Sequence, residues 1–578
     1  MNRLICVSIF LALVIAGRVS AQQPARSRDI TGRVFNHNGQ PLAGGKIFIM
    51  KLGSEPRDSR ETYTNDAGEF RFDSLSSGIY RLSAGGVMDG DLQQFYRPGD
   101  VVTFRIRKGG VITGTVTDST GEPVIAARVS ILLVRDEQGH RISLASPFYF
   151  RQAERLTDDR GVYRFWGLAP GFYLVSVGGK SSNNRNRFPG ITDDGAPTYH
   201  PSAATPEAAT EVSVQGGQEA TGIDIHYRGE SGYAISGYIS GQVASGSQNE
   251  GTIVMLTQAA TGVSLGWQAV QATDSSSKFV FEGLADGEYD LTALRIVDPN
   301  IVAASPNRRV IVKGKDVSGA ELKLAPLGSI EGRITLEAVG KPRCQSERKP
   351  RLDEIVVTIN KEGGDSPLPN FAFPAPNVRG ALVVPDQRGD FAIRSLKAGH
   401  YRVQAQLPSE DWYIRSINLP GHAQPGPIDA RREGITVKSG DRITGITISI
   451  QEGAALLRGR VIAAQASATS QSGLRVHVVP AERKESDNAL RFAEAAVESD
   501  GSFFLTNIAP GRYWLLARPA DDSRDDSIPP LAWDREARAK LAREAAAANN
   551  PIDLQPCQRI ADRILRYTPP ATSDLKKM

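Results

Sequence analysis

Residues 66–72 read Asp-Ala-Gly-Glu-Phe-Arg-Phe, and residues 75–80 continue as Leu-Ser-Ser-Gly-Ile-Tyr. The Asp and the first Gly are typical of a tight turn, because Asp caps backbone N–H groups and Gly accepts a positive φ. The Phe-Arg-Phe run alternates apolar and charged side chains, which predicts a strand with Phe70 and Phe72 on its buried face. We expect Leu75 to fill the core and Tyr80 to open the next strand.

The same unit occurs five times along the 578 residues. In every copy the first turn position and the final tyrosine are 12 residues apart. The turn positions are Gly68, Gly161, Ser277, Gly389 and Gly501, and the tyrosines are Tyr80, Tyr173, Tyr289, Tyr401 and Tyr513. Such self-similarity indicates a repeat protein, in which each copy is one structural module. We therefore expect the tyrosines to occupy equivalent, largely buried sites.

A short strand with a central glycine opens each module. It reads Ile-Thr-Gly-Arg-Val at residues 30–34, and similar runs start at residues 112, 235, 330 and 457. Short alternating strands with glycine turns and almost no helical periodicity are typical of antiparallel β-sandwiches. The sequence therefore predicts an all-β chain of tandem antiparallel, immunoglobulin-like β-sandwich modules, with one short helix near the C-terminus.

The repeats also predict domain boundaries. The spacing of the copies favours modules that begin where each opening strand begins and end before the next one. We expect β-sandwich modules at residues 27–108, 109–229, 230–326, 327–452 and 453–578.

The fifth copy lacks closing strands directly after its tyrosine strand. A helical pattern follows at residues 534–548, with Asp534 as its cap and Trp533, Ala537 and Leu541 on one face. Beyond it, the apolar positions of residues 551–567 are similar to those at the end of the fourth copy. We predict that the chain returns there to complete the fifth sandwich, so that the helix is an insertion.

The N-terminus has the pattern of a signal peptide. Arg3 precedes an apolar run at residues 4–16, and Val-Ser-Ala at residues 19–21 supplies the small residues of a cleavage site. A membrane anchor is the alternative, but the run is short for a bilayer and Arg18 ends it. We predict a signal peptide at residues 1–21 and an extracytoplasmic location, in the periplasm, at the cell surface or outside the cell.

Composition agrees with an exported protein. After residue 21 only Cys344 and Cys557 remain, too few for a disulfide scaffold, and the sequence leaves open whether they pair. The formal net charge is +4 and Lys and Arg are not clustered, which excludes a nucleic-acid footprint. No later segment is long and apolar enough to cross a membrane.

The repeated unit resembles the carboxypeptidase regulatory-like domain family. The resemblance rests on the opening I-[ST]-G-x-V strand, the turn with Pro41 and Pro123, and the D-x-G-x-[FY]-x-F-x-x-L-x-x-G-x-Y unit, across most of residues 27–520. It implies a transthyretin-like (prealbumin-like) sandwich, also grouped with carbohydrate-binding-like folds. In metallocarboxypeptidases this module accompanies a separate peptidase domain, which this sequence does not show. Elsewhere the family is linked to glycan binding and adhesion, so the resemblance implies a fold and not an activity.

We predict no catalytic residue, no cofactor and no metal site, so we expect that the protein is not an enzyme. Residues 262–266 match G-x-S-x-G, but a nucleophile elbow needs a helix after the Ser. Asp66, Asp159 and Asp500 precede turn positions, and we expect them to cap turns, because Ca²⁺ needs several converging oxygens. The histidines stand singly, without the spacings of zinc sites; they are His37, His140, His200, His226, His400, His422 and His477.

Aromatic residues supply the weak candidates for ligand binding. Exposed aromatic rings stack on sugars or anchor protein partners. Trp166 and Trp514 lie inside the repeat unit, so we expect them to pack in the core or at an edge. The candidates are Trp412 and Tyr413, which follow a strand, and Phe148, Tyr149 and Phe150 in an insert of the second module.

These observations favour an exported, non-catalytic modular scaffold or binding protein, with its loops held along a rod. Its partners are expected to be proteins or polysaccharides at the cell envelope, and not nucleic acid. One alternative is a carbohydrate-binding protein, which a row of exposed aromatics on one sheet face would indicate. The alternative from another class is an extracytoplasmic hydrolase, which would need polar residues converging in a deep pocket.

Overall fold

The structure is a computed structural model that describes seventeen stretches of the chain. The predicted signal peptide, residues 148–150, Trp533 and Asp534 lie outside the described residues. The described residues are 28–53, 58–84, 95–137, 152–179, 195–241, 250–262, 264–270, 277–297, 300–337, 344, 351–361, 381–419, 428–429, 434–463, 474–498, 500–519 and 535–567.

The described strands form ten sheets, which face each other in five pairs around five cores. In the first pair, sheet β4-β1-β6 faces sheet β3-β2-β5; these strands are β1 (Ile30–Phe35), β2 (Lys46–Lys51), β3 (Ser59–Tyr63), β4 (Glu69–Phe72), β5 (Tyr80–Ala84) and β6 (Val101–Arg105). In the second pair, β7 and β10 face β8 and β11; the strands are β7 (Gly110–Thr117), β8 (Arg128–Arg135), β9 (Gln152–Leu156), β10 (Val162–Leu168), β11 (Gly171–Val177), β12 (Thr198–Tyr199), β13 (Val212–Val214), β14 (Glu219–Ala220) and β15 (Ile225–His226).

The third and fourth pairs are larger. The third contains β16 (Tyr233–Ser240), β17 (Glu250–Gln258), β18 (Ser264–Val270), β19 (Ser277–Leu284), β20 (Gly287–Val297), β21 (Asn300–Ala304), β22 (Arg308–Val312), β23 (Val317–Lys323) and β24 (Ala325–Pro326). The fourth contains β25 (Gly328–Glu337), β26 (Val356–Lys361), β27 (Ala381–Val383), β28 (Asp390–Leu396), β29 (Gly399–Gln406), β30 (Trp412–Leu419), β31 (Ile428–Asp429), β32 (Ile435–Val437) and β33 (Arg442–Glu452).

The fifth pair carries the α-helix. Its strands and helix are β34 (Ala455–Ala463), β35 (Leu474–Pro480), β36 (Ala493–Ala496), β37 (Ser502–Ile508), β38 (Gly511–Pro519), α1 (Arg535–Ala548), β39 (Pro551–Leu554) and β40 (Arg559–Tyr567). Within the described residues, short 3-10 helices lie at Pro206–Ala208, Leu352–Glu354, Arg483–Glu485 and Ala489–Arg491. The predicted all-β fold of tandem sandwiches with one short C-terminal helix is confirmed. The module boundaries given above stay predictions.

Every sandwich contains parallel strand pairing, which the prediction of antiparallel sheets did not include; the second has two such pairs, of β7 with β14 and with β15. Each opening strand pairs antiparallel with the strand of the repeated Phe/Tyr unit, as β1 does with β4. On its other side it pairs in parallel with a closing strand, as β1 does with β6, β25 with β33 and β34 with β40. The long connection through the second sheet makes this parallel return possible.

The central residue of each opening strand must be glycine, because atoms of the two neighbouring strands approach its Cα closely. Gly32 lies opposite Phe70, and a Cβ built on it would stand 2.2 Å from the Val102 carbonyl oxygen and 2.7 Å from the Phe70 ring. The equivalent Gly459 would meet the Arg563 oxygen at 2.1 Å and the Phe503 ring at 2.6 Å. The same pairing of glycine with an aromatic ring recurs at Gly114–Tyr163, Gly237–Phe279 and Gly332–Phe391.

The five repeat tyrosines occupy equivalent buried sites, as predicted. Each is at most 5% exposed. Each hydroxyl donates a hydrogen bond to the carbonyl oxygen four residues upstream, at 2.6–2.9 Å. This bond ties the start of the tyrosine strand to the preceding turn. Phe70, Phe72 and Leu75 are buried in the first core, as expected.

The turn before the Phe/Tyr strand is capped one residue earlier than predicted. Asn65 Oδ1 accepts hydrogen bonds from the N–H groups of Ala67 and Glu69, whereas Asp66 is exposed and no cap bond is described for it. Asp158, not Asp159, does the same in the second sandwich. The reason is that an Asx side chain reaches the N–H groups two and four residues on. Asp500 does cap its turn, through the Ser502 N–H at 2.8 Å.

The sandwiches are not arranged as the expected rod, because the first packs against the fourth. Leu52 and Ile79 of the first form one buried apolar cluster with Val356 and Leu382 of the fourth. Beside the cluster, Ser77 Oγ donates a 2.5 Å hydrogen bond to Asp353. Two sandwiches almost 300 residues apart in sequence therefore share a small core.

Successive sandwiches also contact one another. Between the second and third, the Tyr199 hydroxyl accepts a hydrogen bond from Gln258 at 3.2 Å, and both side chains are buried. Between the third and fourth, Ser395 Oγ donates to the Ile301 carbonyl at 2.7 Å. Between the fourth and fifth, Asn507 donates to the Trp412 carbonyl at 2.6 Å. Between the first and second, where the chain connects them directly, Arg107 and Glu137 form an ion pair at 3.4 Å. Together with the contact between first and fourth, these contacts close a circuit of four sandwiches and attach the fifth to it.

A disulfide links the fourth sandwich to the fifth. Cys344 and Cys557, 213 residues apart, are bonded with their Cα atoms 5.2 Å apart. Near it, Arg559 pairs with Asp411 at 3.1 Å. The pairing that the sequence left open is therefore present.

The chain returns after the helix to both sheets of the fifth sandwich. β39 pairs with β38 and β40 pairs with β34, as the apolar pattern of residues 551–567 indicates. Leu541 and Ala545 of α1 pack on Val479, while Ala537 is only partly buried. Within the described residues, no helix combines the length and apolar character needed to cross a membrane.

Candidate functional site

Trp412 and Tyr413 lie at the junction of the fourth and fifth sandwiches. The Trp412 side chain is partly buried against the fourth core, and its carbonyl accepts the Asn507 hydrogen bond. The Tyr413 hydroxyl donates to Gln451 at 3.0 Å. Both side chains are thus partly buried, because the strand that carries them is paired with β33. Their role in ligand binding stays a prediction, and Phe148, Tyr149 and Phe150 lie outside the described residues.

Trp166 has the exposure that Trp412 lacks. It is 60% exposed on the outer face of β10, with the Arg155 guanidinium 5.0 Å from the ring centroid. The expectation that Trp166 packs was wrong for a reason visible in the sequence. Strand alternation places Tyr163 and Phe165 inward, so the next residue must face outward. Trp514, by contrast, packs under α1 as expected.

The first sandwich presents a pair of exposed aromatics that the sequence analysis missed. Phe48 and Tyr63 lie diagonally on the outer face of sheet β3-β2-β5, 39% and 59% exposed. Lys46 and Glu61 form a 2.7 Å ion pair between them. The signal was again alternation, since Ile47 and Ile49 are buried and Phe48 must point the other way.

The other exposed aromatic residues are spread over several sandwiches and do not share one sheet. Trp267 lies on β18 and Tyr238 on β16, which belong to different sheets of the third sandwich. Phe504 lies on the outer face of β37 under the Arg458 guanidinium, 4.4 Å from its centroid. On the described sheet faces, the exposed aromatics thus occur singly or as the Phe48–Tyr63 pair. No described face carries three of them in a row.

The buried ionisable groups are paired within the sandwich walls. Arg128 and Glu154 form a 3.3 Å ion pair with both side chains about 5% exposed. Buried His477 lies 3.4 Å from Glu494, which also accepts a hydrogen bond from Arg475. These partners offset the free-energy cost of burying ionisable groups within the sandwiches. Across the part of the chain that the structure describes, no three His, Cys, Asp or Glu side chains gather as metal ligands would.

The turn carboxylates are held ionised by local hydrogen bonds. The bond from the Val162 N–H lowers the pKa of Asp158, and the bond from Ser502 lowers the pKa of Asp500. Both groups are exposed, so the effect is that of a solvated cap. Ser264 of the G-x-S-x-G match begins strand β18, so no helix follows it and the elbow geometry is not formed.

Comparison with known proteins gives limited similarity. No family model matches the chain, so its membership of the carboxypeptidase regulatory-like family stays a prediction. A hydroxyquinol 1,2-dioxygenase of Corynebacterium glutamicum is 33% identical over 85 residues. That match spans 15% of this chain and 28% of the enzyme's length. The activity of the whole enzyme therefore does not transfer to this chain.

Several solved structures of bacterial proteins are also similar. The Bacillus anthracis TIE protein has 12% identity and a TM-score of 0.15, with 74% of each chain covered. The minor pilin GBS52 of Streptococcus agalactiae has 15% identity and a TM-score of 0.20, covering 38% of this chain and 100% of the pilin. Two B repeat units of the collagen-binding protein of Staphylococcus aureus have 9% identity and a TM-score of 0.13, covering 74% and 100%. Scores this low carry no argument about function.

Proposed function

We propose that this chain is an exported, non-catalytic scaffold whose outer sheet faces bind partners at the bacterial cell envelope. The observation that carries the proposal is the closed circuit of sandwiches. The apolar cluster of Leu52, Ile79, Val356 and Leu382 holds the first sandwich on the fourth, and the Cys344–Cys557 bond holds the fifth. Fixed modules present their outer faces in fixed relative positions, which a binding scaffold needs and a flexible string lacks.

The chemistry of the junctions supports the same proposal. Buried polar pairs such as Tyr199–Gln258, and Ser77–Asp353 beside the apolar cluster, specify how the modules meet. The outer faces carry exposed aromatics and guanidinium groups, which are the side chains that anchor protein partners. The disulfide agrees with an oxidising compartment outside the cytoplasm.

The test begins with location. The native protein is isolated from each cell fraction of its host, and its N-terminus is read by mass spectrometry. The proposal expects an N-terminus near Gln22 and recovery with the envelope or medium. An intact Met1 in the cytosol would contradict it. Crosslinking of intact cells then identifies the envelope component that the protein contacts.

A second candidate function, carbohydrate binding, is favoured by one observation. Phe48 and Tyr63 form an exposed aromatic pair with a charged pair between them, which suits stacking on a sugar ring. A glycan array probed with the mature protein and with Tyr63→Ala tests it. Loss of a specific glycan signal in the variant, with an unchanged melting curve, supports this candidate. An array without any signal dismisses it.

A further inference from the structure

Among the described strands, β40 has one unpaired edge, whereas its counterpart in the fourth sandwich is covered. β40 pairs with β34, and no second partner is described for it. Its counterpart β33 pairs with β25 on one side and with β30 on the other. The described fifth sandwich contains α1 in the place along the chain where the fourth has β30. An open edge of nine residues offers backbone N–H and C=O groups to a further strand.

The fourth sandwich shows what kind of strand fits this edge. β30 runs antiparallel to β33, with Ile417 opposite Ile448 and Ser416 opposite Ser449. Ile417 points inward and is fully buried. By the pairing with the opening strands, Leu565 takes the place of Ile448 and Arg566 takes the place of Ser449. An added strand would therefore place an apolar side chain beside Leu565 and an outward side chain opposite Arg566.

The outer face around this edge selects an acidic strand. Ile564 is 59% exposed, because strand alternation turns it outward when Leu565 points inward. Arg566 is exposed beside it. On the neighbouring strand β34, the Arg458 guanidinium lies over the Phe504 ring, and the ion pair of Arg460 with Asp500 is long, at 3.9 Å. The face thus carries surplus positive charge around an apolar centre.

The corresponding face of the fourth sandwich is neutralised. There Arg333 pairs with Asp390 at 2.5 Å, and Arg442 pairs with Glu331 at 2.8 Å. Glu331 stands at the position that Arg458 takes in the fifth sandwich, one residue before the central glycine. The covered edge is therefore balanced in charge, whereas the open edge of β40 is cationic.

A second copy of the chain does not fit the open edge. β40 carries three arginines, at positions 559, 563 and 566, and one carboxylate, Asp562. The antiparallel register of two β40 strands that sets Asp562 opposite Arg566 also sets Arg563 opposite the buried Leu565, where the core needs an apolar side chain. The register that sets Leu565 opposite itself places Ile564 opposite Arg566. A strand with a carboxylate opposite Arg566 and apolar residues opposite Ile564 and Leu565 avoids both mismatches.

We propose that the β40 edge binds an extended protein segment of alternating acidic and apolar residues, which adds to the sheet as an antiparallel strand. The segment contributes backbone hydrogen bonds to β40, apolar side chains next to Leu565 and Ile564, and a carboxylate to the Arg566 guanidinium. This inference rests on the proposed scaffold function and names the chemistry of one of its partners.

The test uses an eight-residue peptide with the sequence of β30, carrying Ser416→Glu and Asn418→Val. Its affinity for the full-length mature protein is measured by fluorescence anisotropy. We expect binding, and roughly tenfold weaker binding of the matched peptide that carries Ser416→Lys instead. The protein variant Arg566→Glu should reverse this preference. The matched control Lys323→Glu, at the same position of β23 in the third sandwich, should leave it unchanged.

Further arms separate strand addition from charge attraction. The acidic peptide with Ile417→Pro cannot complete the backbone pairing, so its binding should be lost. Equal binding of the proline peptide would overturn the proposal, and so would binding of alginate, a polyuronate, without binding of the acidic peptide. If Arg566→Glu impairs folding, the variant Arg566→Gln is used in its place, and its melting curve shows whether it folds. These failures would leave the envelope location untouched, whereas a cytosolic location would refute the scaffold function itself.

Discussion

Replacing Ile79 by alanine is expected to loosen the first sandwich from the fourth. Ile79 is fully buried in the cluster with Leu52, Val356 and Leu382. The change removes three carbon atoms, worth about 0.8 kcal/mol each, and leaves a cavity that adds to the loss. The total is about 3 kcal/mol. Because each 1.4 kcal/mol is a factor of ten, the docking equilibrium should shift by roughly 100-fold.

Amide hydrogen exchange followed by mass spectrometry measures this shift in the full chain. The peptide that covers residues 351–361 in the fourth sandwich should exchange much faster in Ile79→Ala than in the unchanged protein. Leu82→Ala is the matched control, because Leu82 is buried in the first core and lies outside the shared cluster. It should raise exchange in the first sandwich alone. If Ile79→Ala left residues 351–361 unchanged, the reasoning about the shared cluster would be refuted.

Three further predictions concern single sandwiches. Gly459→Ala should destabilise the fifth by about 1–3 kcal/mol or more, since its Cβ would meet the Arg563 oxygen at 2.1 Å; urea unfolding checks this, and an unchanged midpoint would argue against the close approach. Burial raises the pKa of the tyrosine hydroxyls above the unfolded value of about 10, so their stabilising contribution is complete below that pH and is lost as the pH rises through the folded pKa. In an alkaline titration, tyrosinate absorbance and far-ultraviolet circular dichroism should therefore change together. Ionisation of the buried tyrosines at a pH where the protein is still folded would contradict this prediction. The tyrosines concerned are Tyr80, Tyr163, Tyr173, Tyr289 and Tyr513. Truncation after Ala548 removes β39 and β40 and should leave the fifth sandwich open to proteolysis while the first four resist, whereas a truncated protein that melts like the full chain would disprove the completion.

The repeated core could be predicted because its signal is local and periodic. Phe70, Leu75 and Tyr80 recur at constant spacing, so their burial and the sandwich architecture follow from strand alternation and turn chemistry. Trp166 was placed wrongly although the same alternation predicts its outward position, because its apolar character was given more weight than its place in the strand. Asn65 was missed because Asp66, one residue closer to the turn glycine, has a side chain that can also cap a turn.

The junctions between sandwiches could not be predicted, since their residues have no periodic pattern. Leu52, Ile79 and Val356 stand at the ends of separate strands, and only the folded chain brings them together. The parallel pairing of β6 and its counterparts with the opening strands could not be predicted either, because the sequence of a strand does not give its direction relative to a partner strand. The disulfide joins residues too distant in sequence for spacing to decide. For these reasons a string of modules was expected where the structure has a closed circuit.

The central claim, that the first sandwich docks on the fourth, is tested most directly by photo-crosslinking. Met50 of the first sandwich and Val384 of the fourth both pack on the shared cluster, which contains Leu382. The protein is produced with photo-methionine, irradiated as a monomer, digested and analysed by mass spectrometry. A crosslink within one chain between residue 50 and the peptide that contains residues 382–384 is the predicted result. Crosslinks of residue 50 confined to the first sandwich would contradict the closed arrangement.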